Sequence, residues 1–216
     1  ELHFSGSGTM LSQMKMSRSG DLYIPGSPDY MVRAIDDNVV DPNTIQKIAY
    51  LVPAIITPKG NSENVNSLED LANPGVEVGI GDPESVCVGE YAVGVLEYNG
   101  LYEEVEPNIT VHAESCSKTA NLAALGTVDA IIGWRVFHFW NPEKTKIVYI
   151  RENRIPRISF VPAAVSKFTD NTGKAQQFID YLASSEGNHF FREYGYLATE
   201  NEARELAPSA SILSLS

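Results

Sequence analysis

The chain contains no run of about 18 apolar residues, so nothing in it reads as a membrane-spanning helix. Positive charge is also scarce: 16 Lys and Arg stand against 28 Asp and Glu, a formal net charge of −12. That deficit argues against a nucleic-acid binder, which carries a basic face, and against docking on anionic lipid. It does not exclude a small anion, because a site built from backbone N–H groups is insensitive to distant, screened charge. Glu1-Leu-His-Phe4 lacks the basic segment and apolar stretch of a signal peptide and reads as the start of a strand. His3, His112, His138 and His189 are scattered, without the i, i+4 pair of a helical metal site. Neither a Gly-x-Ser-x-Gly elbow nor a Gly-x-x-x-x-Gly-Lys-Ser/Thr phosphate loop is present. No cofactor is implied. Cysteine is limited to Cys87 and Cys116, which fit one disulfide or two free thiols without fixing a compartment.

What is present suits a folded protein: 216 residues, 43% apolar and 20% charged. That length holds one large domain or two of about 100 residues each. Strand and helix patterns alternate, which predicts an α/β fold with largely parallel sheets covered by helices. Residues 2–4 read as a strand end, 21–24 as a short strand and 28–36 as a helix with Tyr30, Met31, Ala34 and Ile35 inward. Residues 49–57 and 159–165 are long buried runs, 173–183 and 186–194 are amphipathic helices, and the tail beyond Leu206 is weakly patterned and reads as loose. The two long runs bracket an α/β block of about 100 residues, the layout of hinge-bending proteins joined by two crossing strands. On that reading residues 1–56 and 163–216 form a discontinuous first lobe, and 57–162 the second.

Three strand-to-helix turns share a small, hydroxyl-rich character: Ser5–Thr9, Asp82–Gly89 and Glu114–Lys118. In an α/β sheet such turns lie at the carboxyl ends of strands, where ligands bind. Helix N-termini there offer unpaired N–H groups and a partial positive charge, and the serine hydroxyls add donors. Several converging ends make an anion site without Lys or Arg, although each alone is an ordinary helix cap. Cys87 and Cys116 both follow a strand within these turns; they either face each other as a disulfide or fill space beneath the helix starts. Arg135, after a strand at 130–133, either clamps an oxyanion or pairs with an acidic side chain. The Trp134, Phe137, Phe139 and Trp140 group reads as a core edge before a ligand box. Tyr194 and Tyr196 raise iron ligation, but at a helix end they read as packing residues. The enzymatic alternative, a cysteine-dependent hydrolase using Cys87 with His112 or His138, is not singled out by any spacing.

The order of these motifs resembles the periplasmic molybdate-binding family and its tungstate-binding relatives. Phe4-Ser-Gly-Ser-Gly-Thr-Met-Leu11 is similar to the family's serine-rich turn, and Gly20-Asp-Leu-Tyr-Ile-Pro-Gly-Ser27 to its Ala-Asp-Leu-Phe-Ile stretch. Val52–Asn61 is similar to its crossing strand, and Phe190-Phe-Arg-Glu-Tyr-Gly-Tyr196 to its closing helix. The most specific match is Gly81-Asp-Pro-Glu-Ser-Val-Cys-Val-Gly-Glu-Tyr-Ala92, against Gly-Asp-Pro-Glu-x-Val-Pro-Ala-Gly-x-Tyr-Ala. The likeness reaches residue 197 and implies a two-lobed class II periplasmic-binding-protein fold holding an oxyanion by neutral donors. It implies Ser7, Val88 and Cys116 as ligand-binding positions, with Trp134 or Arg135 where the family has a tyrosine. The family's first strand, serine-bearing turn and helix have no counterpart here, which implies either a trimmed first lobe or a divergent member with an incomplete anion cage. It further implies an ABC-transporter permease as partner, a monomer, and a periplasmic or extracellular location with a membrane tether left open. Sulfate, phosphate, an organic anion or iron remain alternative ligands of the same fold.

Overall fold

The computed structural model describes residues 1–215, whose strands fall into two sheets. In chain order the elements begin with α1 (Ser7–Ser17), β1 (Leu22–Tyr23), α2 (Pro28–Asp36), β2 (Gln46–Leu51) and β3 (Pro53–Pro58). They continue with β4 (Val78–Gly81), α3 (Cys87–Tyr98), α4 (Tyr102–Val105), β5 (Ile109–Ala113), α5 (Cys116–Ala124) and β6 (Ala130–Trp134). The remainder are α6 (Val136–Trp140), β7 (Thr145–Val148), β8 (Arg157–Val165), α7 (Thr172–Leu182), α8 (Ser185–Glu193), α9 (Glu200–Leu206) and β9 (Ser211–Ile212).

Local sequence explains several of these. α2 starts on Pro28, whose fixed φ suits the first helical position, carries Asp29 in its first turn and buries Tyr30, Met31 and Ala34. α9 is capped by the Thr199 hydroxyl, which accepts from the Glu202 N–H at 3.3 Å. The first sheet runs β1-β8-β2, with β9 also on β8; the second runs β5-β4-β6-β3-β7. Two core clusters, one around Leu71, Ile80, Leu96 and Phe160 and one around Ile56, Val88, Trp134 and Ile179, each draw on both sheets.

Four expectations need correction. Residues 49–57 are not one strand: β2 ends in the first sheet, Val52 alone intervenes, and β3 begins in the second. β3 and β8 each pair within a single sheet, and the pairing changes sheet at Val52 and again between β7 and β8. Nor are the sheets parallel-rich. β4 pairs β5 and β6 in parallel and β9 pairs β8 in parallel, but β1, β2, β3, β6, β7 and β8 make the antiparallel ladders. The crossing strands cause this, since each enters its sheet running against its neighbours. Finally, residues 2–4 form no strand, whereas the tail is tied down: Ser211 and Ile212 pair with β8, and Ala207 and Ala210 are buried.

Because β4, β5 and β6 are mutually aligned, their carboxyl ends emerge at one edge. The turns that follow them therefore lead α3, α5 and Trp134 to the same place, facing α1 and the β1–α2 turn.

Candidate functional site

The turn after β4 is held by its own side chains. The Asp82 carboxylate accepts from the Ser85 hydroxyl at 2.7 Å and the Glu84 N–H at 3.0 Å. These bonds, the Ser85 one foremost, hold its carboxyl below the ordinary carboxylate range. α3 then starts without a side-chain cap, leaving first-turn N–H groups for other partners. Gly89 is required there: a Cβ would meet the Gly81 carbonyl and lie 2.7 Å from the Pro83 nitrogen. At α5 the Ser115 hydroxyl caps the Lys118 N–H at 3.2 Å, and no acidic residue stands in the first turn. α1 likewise has neither a side-chain cap nor a first-turn acid.

These ends meet. The Gly8 N–H donates to the Ser85 carbonyl at 3.0 Å, tying α1 to the turn before α3. The Ser7 hydroxyl accepts from the Gly26 N–H at 3.2 Å, and the Ser7 carbonyl accepts from the Tyr23 hydroxyl at 2.8 Å. Gly26 presses on Cys87, whose sulfur would lie 2.7 Å from any Cβ placed there. Cys87 and Cys116, the first residues of α3 and α5, have sulfurs 3.9 Å apart. The Cys87 hydrogen bond foremost holds the Cys116 thiol below the ordinary thiol range against the opposing effect of burial. Its bond to Cys116 and burial push the Cys87 thiol up, with the Ser7 hydroxyl acting the other way.

The structure thus gathers Ser7, Val88, Cys116 and Trp134 around one point. Val88 and Trp134 are 1% and 2% exposed, and the Trp134 indole N–H is buried without a hydrogen-bond partner. An orphan of that kind costs about 1–3 kcal/mol, so it marks a place where a partner is expected. Arg135 is placed differently. Its guanidinium donates to the Gly195 carbonyl at 2.8 Å and stacks 4.4 Å from the Phe139 ring, joining α6 to the segment after α8. Sequence alone offered an acid or an anion as its partner; the structure supplies a carbonyl and a ring.

Around this point lies a second set of contacts that sequence reading missed. Arg157 of β8 pairs with Asp29 of α2 and donates to the Tyr91 hydroxyl of α3 at 3.2 Å, while Tyr91 also donates to Asp29 at 3.2 Å. Arg33 pairs with Glu90 and lies 4.3 Å from the Tyr30 ring. Burial raises the Glu90 carboxyl, outweighing the Arg33 charge. Ser27, before α2, has a buried hydroxyl with no partner. Only the acid in the first turn of α2 hinted at any of these.

The enzymatic constellation does not assemble. His138 bonds Thr145 at 3.0 Å, and the described hydrogen bonds of the cysteine sulfurs include no histidine. Tyr194 faces solvent while Tyr196 packs on Phe191 and Trp140, so the two do not form a joint ligand pair. Among the described residues no group of three or more His, Cys, Asp and Glu can hold a metal ion.

Residues 1–197 match the family described as bacterial extracellular solute-binding protein. The chain belongs to this family. The molybdate-binding protein ModA of Escherichia coli is 24% identical over 205 residues, 89% of this chain and 76% of its own. The periplasmic molybdate-binding protein of Azotobacter vinelandii superposes with a TM-score of 0.78 at 16% identity, covering 91% of this chain and 86% of its own. The sulfate-binding protein SubI of Mycobacterium tuberculosis gives 0.77 at 15% identity, covering 96% and 80%. The resemblance carried by Gly81–Ala92 and its companion stretches therefore holds, and the class II fold expected from it is the fold observed. As an extracellular solute-binding protein, the chain is a binding protein and not an enzyme. No described helix is long and apolar enough to cross a membrane.

Proposed function

We propose that this solute-binding protein captures a small tetrahedral oxyanion, molybdate or tungstate, and delivers it to an ABC-transporter permease. Two lobes, one on each sheet, close on the anion. The donors are the Ser7 hydroxyl, the backbone N–H groups of Val88 and Cys116, and the Trp134 indole N–H. The observation that carries the reading is the buried Trp134 N–H without a partner, set beside the uncapped start of α3 and the acid-free first turn of α5. A dianion in a buried site must find a hydrogen bond for each oxygen, since an unpaired buried charge is prohibitively expensive. Neutral donors at helix starts meet that need without introducing a counter-charge. Arg135 is left out of the donor set because its guanidinium donates through one terminal nitrogen to Gly195 and stacks on Phe139, although its Nε–H, like the Trp134 indole, is buried without a partner. Asp29, Arg33, Glu90, Tyr91 and Arg157 act as the latch between the lobes. The protein works outside the cytoplasmic membrane, in the periplasm or tethered to the membrane surface.

Calorimetric titration with molybdate, tungstate, sulfate and phosphate tests this. The expected result is one site per chain with molybdate or tungstate tightest. Equal or tighter sulfate binding would move the assignment to sulfate, and no heat with any of the four would overturn it.

A further inference from the structure

We propose that Cys87 and Cys116 are a redox pair inside the cleft, closing to a disulfide by exchange with a small-molecule disulfide, and that the closed form is the tighter oxyanion binder. The second half rests on the oxyanion reading above; the first half does not. Geometry carries the pairing. The two residues begin α3 and α5, which follow the adjacent parallel strands β4 and β5, and their sulfurs already stand 3.9 Å apart. A bond needs about 2 Å, a change within reach of side-chain rotation at two helix starts. The chain has two cysteines, so no competing partner exists within it. Family membership places the protein where disulfides form and persist.

The order of steps follows from exposure. Cys116 is partly accessible and Cys87 fully buried. The depressed Cys116 thiol supplies the attacking thiolate. It attacks one sulfur of the reagent, whose S–S bond breaks and releases the first thiolate, leaving a mixed disulfide on Cys116. Cys87 then gives up its proton and attacks the Cys116 sulfur, expelling the second reagent thiolate. Two protein thiols are oxidised and one reagent disulfide is reduced to two thiols.

The consequence for the cleft lies in where the two sulfurs sit. Cys87 and Cys116 open α3 and α5, whose Val88 and Cys116 N–H groups are two of the proposed oxyanion donors. A disulfide fixes the spacing of those two helix starts, so the oxidised protein holds the donors ready, whereas the reduced one orders them on binding. The expected gain is about tenfold in affinity.

The test uses the full chain treated with oxidised or reduced glutathione, then alkylated with iodoacetamide under denaturing conditions and weighed intact. Full alkylation after reduction and none after oxidation, in monomeric protein, supports the pair. Free thiols, a retained glutathione adduct or a disulfide-linked dimer after oxidation overturns it. Cys87→Ser should stop at the glutathione adduct on Cys116; failure to form that adduct overturns the order of steps. Each form is then titrated with molybdate. Tighter binding by the oxidised form supports the gating, and affinities within twofold overturn it. If neither form binds any oxyanion, the oxyanion reading and the gating both fall, and the thiol count alone still decides the disulfide.

Discussion

Replacing Trp134 by Phe separates two roles that a buried tryptophan can combine. The ring is 2% exposed and packs edge-on against Tyr91 at 4.8 Å between centroids, a contact that a phenyl ring can keep in part. The truncation removes apolar contact, which destabilises. It also removes a buried N–H that has no partner and costs the ligand-free protein about 1–3 kcal/mol. The two effects oppose, and the net change in unfolding free energy is expected to stay within about 1 kcal/mol. Binding has no such compensation. A hydrogen bond to a charged group contributes about 1.5–3 kcal/mol, which corresponds to roughly 10- to 150-fold in affinity. Thermal unfolding of ligand-free protein and calorimetric titration with molybdate read the two quantities separately. Affinity within twofold of the parent, with unfolding free energy lower by about 3 kcal/mol, would refute the reasoning and make Trp134 a core residue only.

Gly89→Ala places a Cβ against the Gly81 carbonyl and Pro83 nitrogen, so a loss of about 1–3 kcal/mol is expected in denaturant unfolding; a parent-like midpoint would show that the turn yields. Burial raises the Glu90 carboxyl above its usual range, so its favourable contribution is present at lower pH and is lost as pH rises through the raised value. Glu90→Gln should therefore leave stability at pH 7 unchanged or higher, and a loss above about 1.5 kcal/mol would mean that the Arg33 pair dominates. Asp82 has the opposite sign: hydrogen bonds from Ser85 and Glu84 depress it, so its contribution is present above about pH 4 and is lost as pH falls through the depressed value. Asp82→Asn should flatten that part of the stability–pH curve, which acid titration of the unfolding midpoint checks.

Legibility in the sequence followed how local each determinant is. The Asp82–Ser85 turn could be read because its hydrogen bonds run between residues at most three apart, so its sequence carries its geometry. α2 matched residues 28–36 because Pro28, Asp29 and the inward Tyr30, Met31 and Ala34 state a start and a face together. The division of 49–57 was hidden because Ala49, Leu51, Ala54, Ile55 and Ile56 are buried on both sides of Val52, and burial does not say in which sheet. Strand direction was misread for a related reason: alternation of strands and helices says nothing about a strand that crosses between sheets. The tail looked loose because what orders it is remote, namely the pairing of Ser211 and Ile212 with Arg157 and Ile158. For the candidate site, Ser7, Val88 and Cys116 were proposed through the family's motifs, whereas the Asp29–Tyr91–Arg157 cluster joins residues far apart in the chain and had no signature.

A one-residue link at Val52 has a mechanical consequence. With β2 paired to one sheet up to Leu51 and β3 to the other from Pro53, the chain at this crossing has no slack to release. Relative movement of the two sheets is confined there to turning about a near-fixed pivot, which the Arg135 N–H grips at the Val52 carbonyl at 2.9 Å. The neighbouring Tyr50–Leu197 bridge anchors the same point to the chain beyond α8. In the closure proposed above, Ser7 on one side and Val88 on the other would swing about this point, so a small rotation at Val52 would change the gap between them. Lengthening the crossing by one residue would let the two slide as well as swing, and the register between the donors of the two sides would be lost.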